Sequence, residues 1–283
     1  MAYLTHQSIT CKIISCLCFA SINGIIKSLS LPSLQIVAIE SLLGALVLWP
    51  YCPKLPLSLL KKPLYWMRSS VAFVGMIAWV YSLKSLPLFQ TVAMGFFSPF
   101  ITIVGAYLCF HEPMTYKRVG AIILATLGGM CLSYGPRLLC IDFSCGNIVY
   151  LAPLVATGFF ALSNLMSKAL LEHTTPLALT FSLLATIGLG LLSTCQEWTC
   201  PQSDDMIRLV ILGILTASAH FSLHYAMKRS DLTLLLPLGV TRLVAASFIG
   251  WFFFNEMPTW WTAYGIILIG AAFFFLKKNP STS

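Results

Sequence analysis

The sequence predicts an all-α integral membrane protein of ten transmembrane helices, arranged as two inverted five-helix repeats. Three observations carry that expectation. Of 283 residues, 58% are hydrophobic and only 9% charged, where an ordinary soluble domain has about 25% charged. The apolar residues gather in runs long enough to cross a bilayer, at about 20 residues per crossing. The two halves of the chain then repeat one another at a fixed spacing. The first two observations exclude a water-soluble globular protein. They leave no stretch long or polar enough for a soluble catalytic or nucleic-acid-binding domain.

Runs interrupted by Pro, Gly and charge place the spans near Ile9–Ser28, Pro32–Trp49, Trp66–Lys84, Leu86–Phe110 and Thr115–Tyr134. The second five lie near Gly146–Leu170, Pro176–Thr194, Met206–Met227, Leu232–Phe254 and Pro258–Leu276. Apolar residues surround most of these segments rather than lining one stripe, as helices facing lipid or a bundle core require. A membrane β-barrel would need alternating segments of about 10 residues, and these runs do not alternate. The short links at Leu29–Leu31, Glu112–Met114 and Asn255–Met257 leave room only for helical hairpins.

The net charge of +8 reads first as topology, because cytoplasmic loops collect Lys and Arg. With the N-terminus inside, Lys12, Lys54, Lys61, Lys62, Arg68, Lys117, Arg118, Lys168, Lys228, Arg229, Lys277 and Lys278 are cytoplasmic or near it. Only Lys27, Lys84, Arg137 and Arg208 lie toward the other face, and Arg242 falls in mid-span. Both termini are therefore expected in the cytoplasm, in a multi-pass protein of the inner membrane. Ile13-Ile14-Ser15-Cys16 has the look of a lipoprotein cleavage box, but the apolar stretch before Cys16 is too short and Lys12 interrupts it. The segment reads as the first span.

A shift of 144 residues lays Tyr81-Ser82-Leu83-Lys84 on Tyr225-Ala226-Met227-Lys228, Gly95 on Gly239, and Phe110-His111-Glu112 on Phe254-Asn255-Glu256. Nearer the start, a shift of 141 lays Ala20, Asn23 and Lys27 on Ala161, Asn164 and Lys168. Residues 1–134 form the first repeat, 135–145 an outer linker, 146–276 the second repeat and 277–283 a cytoplasmic tail. Five spans is an odd number, so the second copy crosses in the opposite sense. Inverted repeats meeting around a midplane site are the architecture of secondary transporters.

The residues that carry a family resemblance are Asn23 with Lys27, the corner Phe110-His111-Glu112-Pro113-Met114-Thr115 before Gly120, and their counterparts. Those are Asn164, Lys168 and Phe254-Asn255-Glu256-Met257-Pro258-Thr259 before Gly265. On these the chain resembles the drug/metabolite transporter superfamily, in its EamA-type ten-helix form. The block from Arg68 to Gly129, with Gly75-Met76-Ile77-Ala78-Trp79-Val80-Tyr81, is similar to the subgroup that includes S-adenosylmethionine uptake carriers. The resemblance implies a central cavity lined by spans 1, 3, 4, 6, 8 and 9, a small-molecule substrate, and no cofactor. There is one departure. Where the second span of these proteins usually carries an Arg, this chain has Glu40.

Arg242 is the most expensive residue in the chain, at about 2.5–3.5 kcal/mol near the bilayer centre. Its fixed fork suits a carboxylate or phosphate of the substrate; an internal ion pair is the structural alternative. Glu40 is the natural counter-charge, able to meet a cationic group, carry a coupling proton or neutralise Arg242. Asn23 and Asn164 either contact substrate or bridge helices. Lys27 and Lys168 stand at span ends, where long side chains reach the interface. Glu112 and Glu256, beside Pro113 and Pro258, are expected to cap the helix that follows each corner. Pro99 and Pro237 break spans 4 and 9 and supply bends for gating.

Trp79, Tyr81, Phe97 and Tyr225 lie on the implied cavity spans with Phe96, Phe159, Phe160 and Phe221; most such rings pack, and a few could stack on a flat base. His220 and His224, four residues apart, share a face. A catalytic zinc needs a third protein ligand, and His6, His111 and His173 are scattered, so the pair reads as polar lining. An intramembrane metal-dependent enzyme using His220 and His224 is the alternative from another class. On these residues the substrate reading is S-adenosylmethionine, exchanged for S-adenosylhomocysteine: carboxylate on Arg242, sulfonium near Glu40, adenine on Trp79, Tyr81 or Phe97. Amino acids, nucleosides or drug-like cations, imported or exported, are the alternatives. Cys140, Cys145, Cys195 and Cys200 fall in outer loops, where an oxidising face would let them pair. The Ala121, Ala125, Gly129 ladder permits close helix packing, within one chain or in a homodimer. The lipid bilayer is the remaining partner; nucleic acid is not one.

Overall fold

The computed structural model describes residues 6–52, 57–86, 88, 91–92, 95, 98–112, 115–134, 148–194 and 198–255, with 260–261, 264–265, 267–268 and 271. Among the described residues there is no strand, and nine long helices carry the fold. These are α1 (His6–Ser28), α2 (Ser33–Leu48), α3 (Pro63–Ser85), α4 (Ser98–Phe110), α5 (Tyr116–Tyr134), α6 (Ile148–Leu171), α7 (Pro176–Thr194), α8 (Ser203–Arg229) and α9 (Val240–Phe254). Most of the tenth expected span, Pro258–Leu276, lies outside the described residues.

Among the described residues, five helices are long and apolar enough to cross a membrane: His6–Ser28, Ser33–Tyr51, Leu151–Leu171, Ser203–Arg229 and Leu232–Phe254. Helix α3 spends part of its length on Arg68, Ser69, Ser70, Ser82 and Lys84, and α4 is described over the 13 residues Ser98–Phe110. The segment before α9 is interrupted. A short helix, Leu232–Leu235, gives way to a 3₁₀ turn at Pro237–Gly239 before α9 starts. Proline has no N–H for the helical ladder and its ring crowds the preceding turn.

A hydrocarbon environment gives a hydroxyl no water to bond. Thr10, Ser21, Ser70, Ser85, Thr126, Thr157 and Ser218 accordingly donate to the carbonyl one turn back. The outer faces are apolar, with Leu108 65% and Phe253 69% exposed. Such side chains belong against lipid, not water.

The halves interlock rather than lie side by side. Helix α3 packs on α6 and α1 on α8; α1 packs on α9 and α6 on α4; α2 packs on α7. Exchanging the halves maps these five pairings onto one another, but α2 also packs closely on α8 where α7 barely meets α3. The knobs exchange too. A Cβ on Gly24 of α1 would lie 2.8 Å from Ile249 Cγ2 of α9, whereas at the equivalent crossing a Cβ on Gly105 of α4 would collide with Leu165 of α6. Helices α4 and α9 end on matched residues in the left-handed region, His111 (φ 50°) and Asn255 (φ 52°). Lysines at the ends of α3 and α8 tie matched corners: Lys84 donates to Leu31 O at 2.6 Å and Lys228 to Thr174 O at 2.6 Å.

Candidate functional site

A cavity of about 230 Å³ lies where the halves meet, with residues of α1, α2, α3, α6, α7, α8 and α9 in its wall. Much of that wall is apolar, and the polar groups collect at two places.

The first is built around Arg242, three residues beyond the turn that Pro237 opens. Its Nη2 donates to Asn23 Oδ1 at 3.4 Å, and Trp79 Nε1 donates to the same oxygen at 3.2 Å. The guanidinium lies 5.0 Å from the Trp79 ring centre and 5.2 Å from that of Phe19, close enough for cation–π attraction. Phe160 meets Trp79 edge-on at 5.9 Å, and His220 meets Phe19 edge-on at 5.0 Å. Arg242 Nε and Asn23 Nδ2 are buried without a hydrogen-bond partner.

Glu40, on α2, is 1% exposed and lines the same cavity, with Oε2 unpartnered. It does not neutralise Arg242 directly: among the described residues no ion pair joins them. The cavity wall thus holds a carboxyl and a guanidinium that no contact among the described residues pairs with one another.

The second polar group surrounds Arg68, which is 3% exposed. Its Nε donates to Ser167 Oγ at 2.8 Å and its Nη2 meets His224 Nε2 at 3.1 Å. Arginine only donates, so His224 Nε2 accepts and its Nδ1–H points to Thr180 Oγ1 at 2.7 Å. That hydroxyl in turn donates to Pro176 O at 2.7 Å. Ser167 passes its own proton to Ser163 O at 2.6 Å. Lys12 lines the cavity as well.

The structure brings Arg242, Glu40, Asn23, Asn164, Trp79, His220 and His224 to this cavity. It turns two of the expected aromatics away. Tyr81, two residues past Trp79 and so near the opposite side of α3, is 47% exposed. Tyr225 is not in the cavity wall: its hydroxyl donates to Gln7 Oε1 at 3.4 Å, and Arg229 covers its ring at 4.3 Å. Phe96, Phe97 and Glu256 lie outside the described residues, as do Cys140, Cys145 and Cys195; Cys200 is exposed. Ala121 is buried, while the side chain of Ala125 and Gly129 fall outside what is described.

Among the described residues, the helix that Glu112 caps belongs to the opposite half. Glu112 accepts from Leu232 N at 2.8 Å and from Thr233 N and Oγ1 at 2.9 and 2.8 Å, so its carboxylate closes the broken segment of the opposite half. Lys168 donates to Met227 O and Ser230 O at 2.6 and 2.7 Å, and Lys27 lies 5.1 Å from the Phe254 ring centre. Neither lysine is simply an interface anchor.

Arg68 and Lys12 are the cavity residues that sequence reasoning assigned to the cytoplasmic edge. A signal for them existed. Arg68 precedes Trp79, and Lys12 precedes Asn23, by eleven residues, which is three helical turns and nearly the same face. Among the described residues no three His, Cys, Asp or Glu gather as metal ligands, and both ring nitrogens of His224 are engaged by Arg68 and Thr180.

The pattern of the EamA-like transporter family matches residues 7–134 and again residues 147–277. The chain belongs to this family. As an EamA-family member of the drug/metabolite transporter superfamily it is a multi-pass membrane transporter. Among similar proteins, the riboflavin transporter of Vibrio cholerae is 27% identical, covering 91% of this chain and 89% of its own. The S-adenosylmethionine uptake transporter of Rickettsia prowazekii is 25% identical, covering 99% and 97%. The pseudopaline exporter CntI of Pseudomonas aeruginosa is 20% identical, covering 98% of each. A crystal structure aligns at 17% identity with a TM-score of 0.72, covering 95% of this chain and 94% of that one; it shares the fold of this EamA-family chain.

Proposed function

We propose that this EamA-family protein is a secondary active carrier of the inner membrane, working by alternating access between two inverted repeats, with both termini cytoplasmic. Its substrate is S-adenosylmethionine, taken up in exchange for S-adenosylhomocysteine. The observation that carries this reading is the placing of Glu40 and Arg242, each with an unpartnered polar atom, in one cavity beside the Trp79 ring. A buried charge is costly unless it is paired, and a zwitterion with a flat heterocycle supplies a partner for each. Its carboxylate meets Arg242, its cationic end meets Glu40, and its adenine lies against Trp79 or Phe160. Exchange needs no separate ion site, because efflux of the demethylated product returns the carrier. The exchange of packing partners between the halves, and the matched ends of α4 and α9, support two related states.

A second reading is riboflavin transport, favoured by the similarity to the Vibrio cholerae protein. Its ring would use the same aromatic wall, but it is uncharged and would leave Glu40 and Arg242 unmatched. The experiment is uptake of labelled S-adenosylmethionine into proteoliposomes, with and without internal S-adenosylhomocysteine, beside a riboflavin arm. Saturable uptake stimulated by the internal compound is expected. No uptake by folded, inserted protein overturns the substrate; riboflavin uptake in its place selects the second reading.

A further inference from the structure

The Arg242 group accounts for one end of the cavity and leaves Arg68 without a task. Arg68 is a buried cation whose hydrogen bonds go to neutral partners: Nε to Ser167, Nη2 to His224, and the protons of those partners onward to backbone or Thr180. None of these acceptors carries a charge. Its Nη1 is buried, lacks a hydrogen-bond partner, and belongs to a side chain that lines the cavity. Buried donors are rarely left unsatisfied.

Helix geometry places a second cation at the same level of the cavity. The Trp79–Asn23 hydrogen bond of 3.2 Å sets α1 and α3 at one level. Eleven residues back along each helix stand Lys12 and Arg68. At about 1.5 Å per residue, both lie about 16 Å from the Asn23–Trp79 level in the parallel course expected of these two spans. Both face the cavity.

The internal repeat gives this pair no counterpart in the second half. The spacings that match Asn23 to Asn164 and Gly95 to Gly239 carry Lys12 to Pro153 and Arg68 to Leu212. These two charges occur in one half alone.

We infer that Lys12 and Arg68 form a second anion subsite in the cavity, three helical turns from Arg242, which takes a carboxylate. His224 and Ser167 fix the Arg68 fork so that Nη1 is left to donate to the anion, and Lys12 supplies the second positive charge. A substrate with a single carboxylate then has two stations along the cavity. This rests on the carrier reading for its use in transport, but not on the identity of the substrate.

The test is thermal denaturation of the purified full-length protein titrated with sodium acetate, against sodium chloride at equal ionic strength. Arg242→Gln removes the other station and isolates this one. That variant is expected to keep a saturable rise in its midpoint with acetate. Adding Arg68→Lys, which keeps the charge but not the fork, is expected to weaken the response at least about tenfold, the scale of one charge-assisted hydrogen bond. Adding Lys12→Gln in its place, at a half-buried position, is expected to weaken it severalfold. A response absent from Arg242→Gln, or equal in acetate and chloride, overturns the subsite. So does a response that survives both additions, or one that survives Lys12→Gln if the Arg68 variant does not fold. Failure of S-adenosylmethionine uptake would leave these titrations unaffected.

Discussion

Arg242 costs about 2.5–3.5 kcal/mol at mid-span, and two aromatic faces and one amide oxygen only partly repay it. Replacing it with Ala should leave a folded protein with no guanidinium beside Trp79 and an unmatched substrate carboxylate. A hydrogen bond to a charged group is worth about 1.5–3 kcal/mol, so Arg242→Ala should reduce uptake roughly 10- to 100-fold. Glu40→Gln should do the same for a cationic substrate, measured as initial rates normalised to inserted protein. Undiminished rates in both variants would remove the charge-pair reading. Mid-span polar residues were legible because hydrocarbon penalises them wherever they point, and Arg242, Glu40, Asn23 and Asn164 all reach the cavity. Arg68 was not. Six residues into α3, the same side chain is cheap if it reaches the interface and costly if it turns inward, and composition does not record the turn. Aromatic identity carried no direction either, which is why Trp79 and Tyr81, two residues apart, part company.

At the scale of helices, close approach depends on small residues. A Cβ on Gly213 of α8 would collide with the Cβ of Leu43 on α2 and lie 3.1 Å from that residue's carbonyl carbon. Backbone does not step aside, so Gly213→Ala should force α2 from α8 and cost about 1–3 kcal/mol, the usual range for overpacking. Thermal unfolding in detergent reads it; an unchanged midpoint would show that the helices can separate freely. Glu112→Gln keeps the shape of the cap but removes its charge from the first turn of the Leu232 segment. With three donors converging on that carboxylate, the loss should again be about 1–3 kcal/mol, seen in the same melt. Span positions were readable from hydropathy, and the break at Pro237 from the residue itself. The helix that Glu112 caps was not, because its donors lie 120 residues away and only the packing of the halves brings them near.

For the whole molecule, the excess of Lys and Arg predicts which loops face the cytoplasm. Tyr116 at the start of α5 and Trp198 before α8 are both exposed and belong to opposite faces in that orientation. In a cysteine-depleted background, an impermeant maleimide applied to spheroplasts should label Trp198→Cys and spare Tyr116→Cys. Reversed labelling would invert the orientation. The repeat was legible because its matched Asn, Lys and Glu are rare in apolar sequence; how the copies interlock was not, since a repeat specifies similarity and not contact.

That interlock governs how the chain is made. Helices α1, α2 and α3 take their main partners from α8, α7 and α6, all synthesised later. A ribosome that has delivered α5 has placed Arg68 and Glu112 in the membrane before Ser167, His224 or Thr233 exists. The early half must therefore wait among lipids or insertion machinery with its charges unanswered, and a nascent chain that stops there has no native structure to adopt.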